Sequence, residues 1–171
     1  MLRNFSVKYV SLASQLTRIA LVLSYLAVLV LTIAMLYEVF ARYLFSAPTI
    51  WAFDIAYMSN AAIFLLGNAW VLHQNGHIAI QLIYEKMPFA FRAVFDAIVH
   101  LIIVLPLFIF LSYNAVGRVF SAYTTQEVEM VSPWGPLMWP FYMIFAFGLV
   151  VFTIQIPASF INKYALNSTE V

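Results

Sequence analysis

Apolar residues run almost unbroken through four stretches, near 19–36, 50–72, 94–111 and 137–161, and nearly all the charge falls between them. A bilayer core about 30 Å thick needs roughly 20 residues of apolar helix to cross it. The pattern therefore predicts an all-α integral membrane protein with four transmembrane helices, near 19–45, 50–72, 91–118 and 136–161, in one membrane domain over residues 1–171. The polar interruptions predict the rest. Residues 1–17 alternate Leu2, Phe5, Val7, Tyr9, Val10 and Leu12 with Arg3 and Lys8, which suits a short amphipathic helix on the inner surface or a frayed tail. After His73-Gln74-Asn75-Gly76-His77 breaks the second span, residues 78–87 are too short to cross and apolar along one side. An in-plane amphipathic helix on the cytoplasmic side, ended by Pro88, is the expected form. Pro106 lies inside the third span and predicts a kink there.

Composition narrows the function classes. The chain is 65% hydrophobic and 9% charged, and four crossings leave no room for an extramembrane ATPase, receptor or catalytic domain. It has no cysteine, so disulfide, thiolate and cysteine-ligated metal chemistry is excluded. A net charge of +1 argues against a nucleic-acid partner. The first apolar run is too long for a signal peptide and is expected to be retained. With both termini cytoplasmic, Arg3, Lys8, Arg18, Lys86, Arg92 and Lys163 all face inside, six of the eight basic residues, and only Arg42 and Arg118 face out.

Few polar side chains sit where chemistry would need them. His100 lies about nine residues into the third span, where it reads as a haem ligand or proton relay, or more simply as a neutral histidine bonded across a helix interface. His73 and His77 are four apart, but Gly76 breaks the helix between them and no carboxylate stands beside them, so no metal site is expected. A haem shared by His73 and His100 would need matching depths, which their positions do not supply. Asn60 and Asn68, eight apart in the second span, suit interhelical hydrogen bonding better than an ion path. The pairs Glu38/Arg42 and Arg92/Asp96 are each four apart and predict ion pairs at the membrane boundaries. Trp51, Trp134 and Trp139 fall where indole rings anchor helices at the interface. Glu127 and Glu129 read as solvated loop charges. No span holds a lone central carboxylate, so transport by this chain alone is not expected, and neither is catalysis or a bound cofactor.

The residues also resemble a known family. Phe40-Ala41-Arg42-Tyr43-Leu44-Phe45, followed by Pro48, Trp51 and Asp54, is similar to the first hairpin of the small membrane subunit of TRAP transporters. These are the tripartite ATP-independent periplasmic transporters, and the subunit is their Q-subunit or DctQ-like small permease. Leu66-Gly67-Asn68-Ala69 and His77-Ile78-Ala79-Ile80 are similar to its small-residue patch and histidine signature. Ser132-Pro133-Trp134, Pro136-Leu137 and Trp139-Pro140 resemble its entry to the last span. The resemblance covers about residues 20–160. Where the family usually has an acid four residues after the histidine, this chain has Gln81.

The resemblance implies an accessory subunit of a sodium-coupled transporter of organic acids in the bacterial inner membrane. Such a subunit pairs with a large elevator-type membrane subunit and helps dock a periplasmic substrate-binding protein. It implies a large-subunit face at Asn60, Gly67, Asn68, His77 and His100. Periplasmic docking would fall on Arg42, Arg118, Glu127 and Glu129. The polar tail at 162–171 carries no further span, which favours a separate large subunit. The alternatives are a haem-carrying tetraspan anchor of a respiratory enzyme, an autonomous small transporter and an assembly factor.

Overall fold

The computed structural model describes residues 2–74 and 88–166. Four helical rods in it are long and apolar enough to cross a membrane. The first is α1, Leu2–Phe45, and the second α2, Ala52–His73. The third is built from α3, Phe89–Ala97, a π-helical stretch, Ile98–Val104, and α4, Leu105–Thr125. The fourth, α5, spans Trp139–Ile161 and continues into a π turn, Asn162–Leu166. The in-plane helix expected at 78–87, with His77 and Gln81, lies outside the described residues.

The N-terminal segment forms no separate surface helix. Residues from Leu2 onward belong to one continuous α1 of 44 residues, about 66 Å long at 1.5 Å per residue. That is roughly twice the thickness of a hydrocarbon core. The reason for continuity is a seam. Ala13, Thr17, Ala20, Ser24, Ala34, Glu38 and Ala41 are buried, with Ala27 and Leu31 half-buried between them. Their spacing alternates four and three, the 3.5-residue repeat of helices that wind around each other left-handedly. Most are small, and small residues let helix backbones approach closely where lipid removes any hydrophobic drive for helix association. Of the apolar residues before Ala13, Tyr9 and Val10 are half-buried and lead into this seam, while Phe5, Val7 and Leu12 are exposed.

α5 is the central rod, packing against α1, α2 and α4. Its buried face includes Ala146, Gly148, Leu149, Val151, Phe152, Gln155, Ile156 and Ala158. Val151, Phe152 and Ile156 form a core with Ala20 of α1 and Ala62, Leu66, Ala69 and Leu72 of α2. Closest approach is at Gly148, where an added Cβ would lie 3.1 Å from Leu65 Cβ and 3.4 Å from the Leu65 backbone carbon. α4 packs on the far side of α5, joined by Ser112 Oγ and Thr153 Oγ1 at 3.0 Å and by the rings of Phe108 and Phe152 at 4.5 Å.

Pro106 sits where the winding of the third rod changes. A proline removes an amide N–H and crowds the carbonyl four residues back. Here the turns before it, Ile98–Val104, are wound as π-helix, and Pro106 falls in the first turn of the α-helix that resumes at Leu105. Proline and π-helical turns are both places where helices bend, and here they adjoin.

Gly148→Val is expected to cost about 1–3 kcal/mol through overpacking against α2. Gly117, whose added Cβ meets nothing within 4 Å, should accept Ala without loss. Thermal unfolding in detergent tests both, and equal midpoints for the two variants would show that Gly148 does not set the α2–α5 distance.

Candidate functional site

Three polar assemblies hold the bundle, one in its core and one at each end. The core assembly centres on Gln155, 2% exposed, and Thr17, fully buried. Thr17 Oγ1 donates to Gln155 Oε1 at 2.9 Å. Gln155 Nε2 donates to Ser159 Oγ at 3.0 Å and lies 3.2 Å from His73 Nδ1, and Ser159 Oγ donates to the Leu72 carbonyl at 3.2 Å. One amide thus joins α1, α2 and α5 and uses both its oxygen and its nitrogen. Tyr9 Oη adds a bond from the start of α1 to the Ile154 carbonyl at 2.9 Å. Sequence pattern does not single out Thr17 or Ser159, and by pattern Gln155 only closes a span. A polar residue inside an apolar run is the available signal, but the partner it meets comes from 138 residues away.

The second assembly lies at the end where α1 turns into α2. Ser46, at φ 48°, takes the chain out of α1. Glu38 accepts from Arg42 Nε at 2.9 Å and from Arg42 Nη2, and its other oxygen accepts from the Thr49 amide at 2.9 Å and the Thr49 hydroxyl. Thr49 Oγ1 in turn accepts from the Ala52 amide at 3.3 Å, capping α2. Trp51 stacks on Tyr37 with ring centroids 5.6 Å apart. One carboxylate therefore ties the last turns of α1 to the first turn of α2.

The connection from α4 to α5 folds back onto this same end. α4 closes with Gln126 in the left-handed region, φ 51°, and the Glu127 amide bonded to the Ala122 carbonyl at 3.1 Å, a Schellman closure. Val128 and Leu137 then form an isolated antiparallel bridge, and the Glu129 amide donates to the Pro136 carbonyl at 3.0 Å. Gly135, at φ 57°, makes the turn. Ser132 donates to Asp54 of α2, and Tyr57 Oη donates to Glu129 Oε2 at 3.3 Å. Glu127 accepts from Arg118 Nη2 at 2.6 Å and from Tyr142 at 3.4 Å, with the Arg118 guanidinium 5.1 Å from the Tyr142 ring centre. Glu127 and Glu129 are thus not merely solvated charges: both are half-buried and fasten the loop to the helices. Trp139 meets Tyr123 edge-on at 5.6 Å, while Trp134 is exposed.

At the opposite end, Asp96 of α3 is buried and accepts from Lys163 Nζ at 2.7 Å and from the Tyr164 hydroxyl. The Arg92 side chain, and with it the Arg92/Asp96 pair that spacing predicts, lies outside the described residues, while Lys163 and Tyr164 tie Asp96 to the end of α5. His100 is half-buried, its Nδ1 3.0 Å from the Asp96 carbonyl one turn back. Gly67 is half-buried, and a Cβ added there would lie 3.7 Å from Ser24 Oγ of α1. Asn60 is exposed and Asn68 half-buried. Among the described residues no three of His, Asp and Glu converge as a metal shell would require, and none of their buried side-chain nitrogens or oxygens lacks a hydrogen-bond partner.

Gln155→Leu is expected to destabilise the bundle by about 1–3 kcal/mol, because it leaves the Thr17 and Ser159 hydroxyls short of a partner. A double-mutant cycle with Thr17→Val should return a coupling of about 0.6 kcal/mol, the usual size for one interhelical bond in lipid. Additive losses would show that the two residues act separately.

The arrangement can hold helices and loops in place, and it leaves polar groups and exposed apolar surface for contact at the loop end. The family model for the DctQ component of the tripartite ATP-independent periplasmic transporters matches residues 31–165. No curated protein and no solved structure is a match. The matched stretch covers α2 to α5 with their connections and the last fifteen residues of α1, the part that holds Glu38 and Arg42. With four crossing helices and this match, the chain belongs to the DctQ family, the small membrane component of the tripartite ATP-independent periplasmic transporters.

Proposed function

We propose that this chain is the stationary accessory subunit of a sodium-coupled transporter of organic acids in the bacterial inner membrane. It braces a large elevator-type subunit and contributes to the docking of a periplasmic substrate-binding protein. The observation that carries the reading is the family match over residues 31–165 in a multi-pass bundle. The polar groups inside the described spans support it. Ser24, Ser112, Thr153 and Gln155 each bond to a neighbouring helix, as a rigid brace requires and a substrate path does not. In this reading both termini are cytoplasmic, and the end bearing Thr49 and the 126–138 loop faces the periplasm. The large subunit meets Asn60 and Asn68 on α2, with His77 and His100 toward the cytoplasmic side. Arg42, Arg118, Glu127 and Glu129 belong to the periplasmic surface.

The haem-anchor alternative is not favoured. His73 Nδ1 turns toward Gln155 in the core, and His100 Nδ1 toward the carbonyl of its own helix.

Proteoliposomes with an inward sodium gradient test the proposal. Organic-acid uptake is expected only when this chain, the large subunit and the binding protein are all present. Uptake by this chain alone, or undiminished uptake in its absence, would overturn the reading.

A further inference from the structure

An open cleft of about 290 Å³ lies between the start of α2 and the 126–138 loop. Ile50, Phe53 and Val131 form its apolar rim, and Asp54, Tyr57 and Glu129 stand within it. Phe53 is 78% exposed and Val131 91%, with Met130 beside it at 90%. Phe53 stands on the first turn of α2, and Met130 and Val131 on a loop that hydrogen bonds pin to that helix, from Ser132 to Asp54 and from Tyr57 to Glu129.

The charge of this cleft is unbalanced. Of the five carboxylates among the described residues, Glu38, Asp96 and Glu127 form ion pairs with Arg42, Lys163 and Arg118. The other two, Asp54 and Glu129, both line the cleft, and among the described residues neither has a basic side chain within ion-pair distance. Asp54 is only 2% exposed, so its charge acts from beneath, while half-buried Glu129 is open to a partner. The rings of Phe53 and Tyr57, tilted with centroids 6.1 Å apart, flank the approach.

An apolar rim, two aromatic rings and negative charge below them match one type of occupant. We infer that the cleft receives an arginine or lysine side chain presented by the periplasmic binding protein. The apolar stem of that side chain lies against Ile50 and Val131, and its cationic head meets Phe53, Tyr57 and Glu129. A guanidinium or ammonium placed there gains charge-assisted bonds to Glu129 and the field of Asp54. The apolar residues around it exclude water from the contact. This inference rests on the docking role proposed above and specifies where the contact is made and by what chemistry.

The test uses the two membrane subunits reconstituted together, with the binding protein titrated in. Phe53→Ala and Glu129→Gln are each expected to raise the binding-protein concentration for half-maximal uptake by about tenfold, with the rate at saturation unchanged. Glu129→Lys should be rescued by an arginine- or lysine-to-glutamate change on the binding protein, which a merely structural role for Glu129 would not allow. Because the chain lacks cysteine, V131C carries a single nitroxide label. That label should be accessible to a water-soluble relaxation agent and become immobilised when binding protein is added. Unchanged half-maximal concentrations in both variants would overturn the inference. So would a label that reports lipid rather than water, which would make the rim a membrane anchor. If wild-type uptake still needs all three proteins in those cases, the accessory-subunit reading stands and only the cleft fails. If uptake is independent of this chain, the broader reading fails first.

Discussion

Helices in lipid gain nothing from burying apolar surface against one another, and this constraint governs the whole bundle. What remains is close approach and hydrogen bonding. Both are concentrated where α1, α2 and α5 meet. The alanine-rich seam of α1 lets α2 and α5 come near. Gly148 sets the α2–α5 spacing by offering no Cβ to Leu65. Gln155 then bridges all three helices with one amide. Each feature depends on the others, because the amide reaches Thr17 only if the backbones are as close as the small residues permit.

The same economy appears at the ends. Glu38 joins α1 to α2 and, through Thr49, caps the second helix. Asp96 joins the third rod to the end of the fourth. The long connection after α4 is shaped by its own bridge and then fastened to α2. A bundle secured this way in its core and at both ends resists changes in the relative tilt of its helices. At the loop end, Asp54 and Glu129 have no basic side chain within ion-pair distance among the described residues.

Much of this architecture is legible in the residue order alone. Membrane class, four crossings and their order follow from run length, since a crossing helix must satisfy its own backbone and therefore must be long and apolar. The four-residue spacing of Glu38 and Arg42 is readable for the same local reason: residues one turn apart share a face. Resemblance of the Phe40–Phe45 segment and of the Ser132-Pro133-Trp134 segment points to the family that the match over 31–165 establishes.

The points where sequence and structure part have a common cause. Read locally, the sequence makes Glu127 and Glu129 solvated charges and sets residues 1–17 apart from the first span. In each case the deciding neighbour lies on another rod: Tyr142 for Glu127, Tyr57 for Glu129 and Ile154 for Tyr9. By itself the sequence determined how many rods there are, where they begin and end to within a few turns, and that lipid is their solvent, because those properties depend on hydropathy summed along one segment. Only the tertiary structure decided which faces meet, which polar groups pair and which carboxylates are left over, because a hydrogen bond needs two atoms about 3 Å apart and chain distance says nothing about that separation.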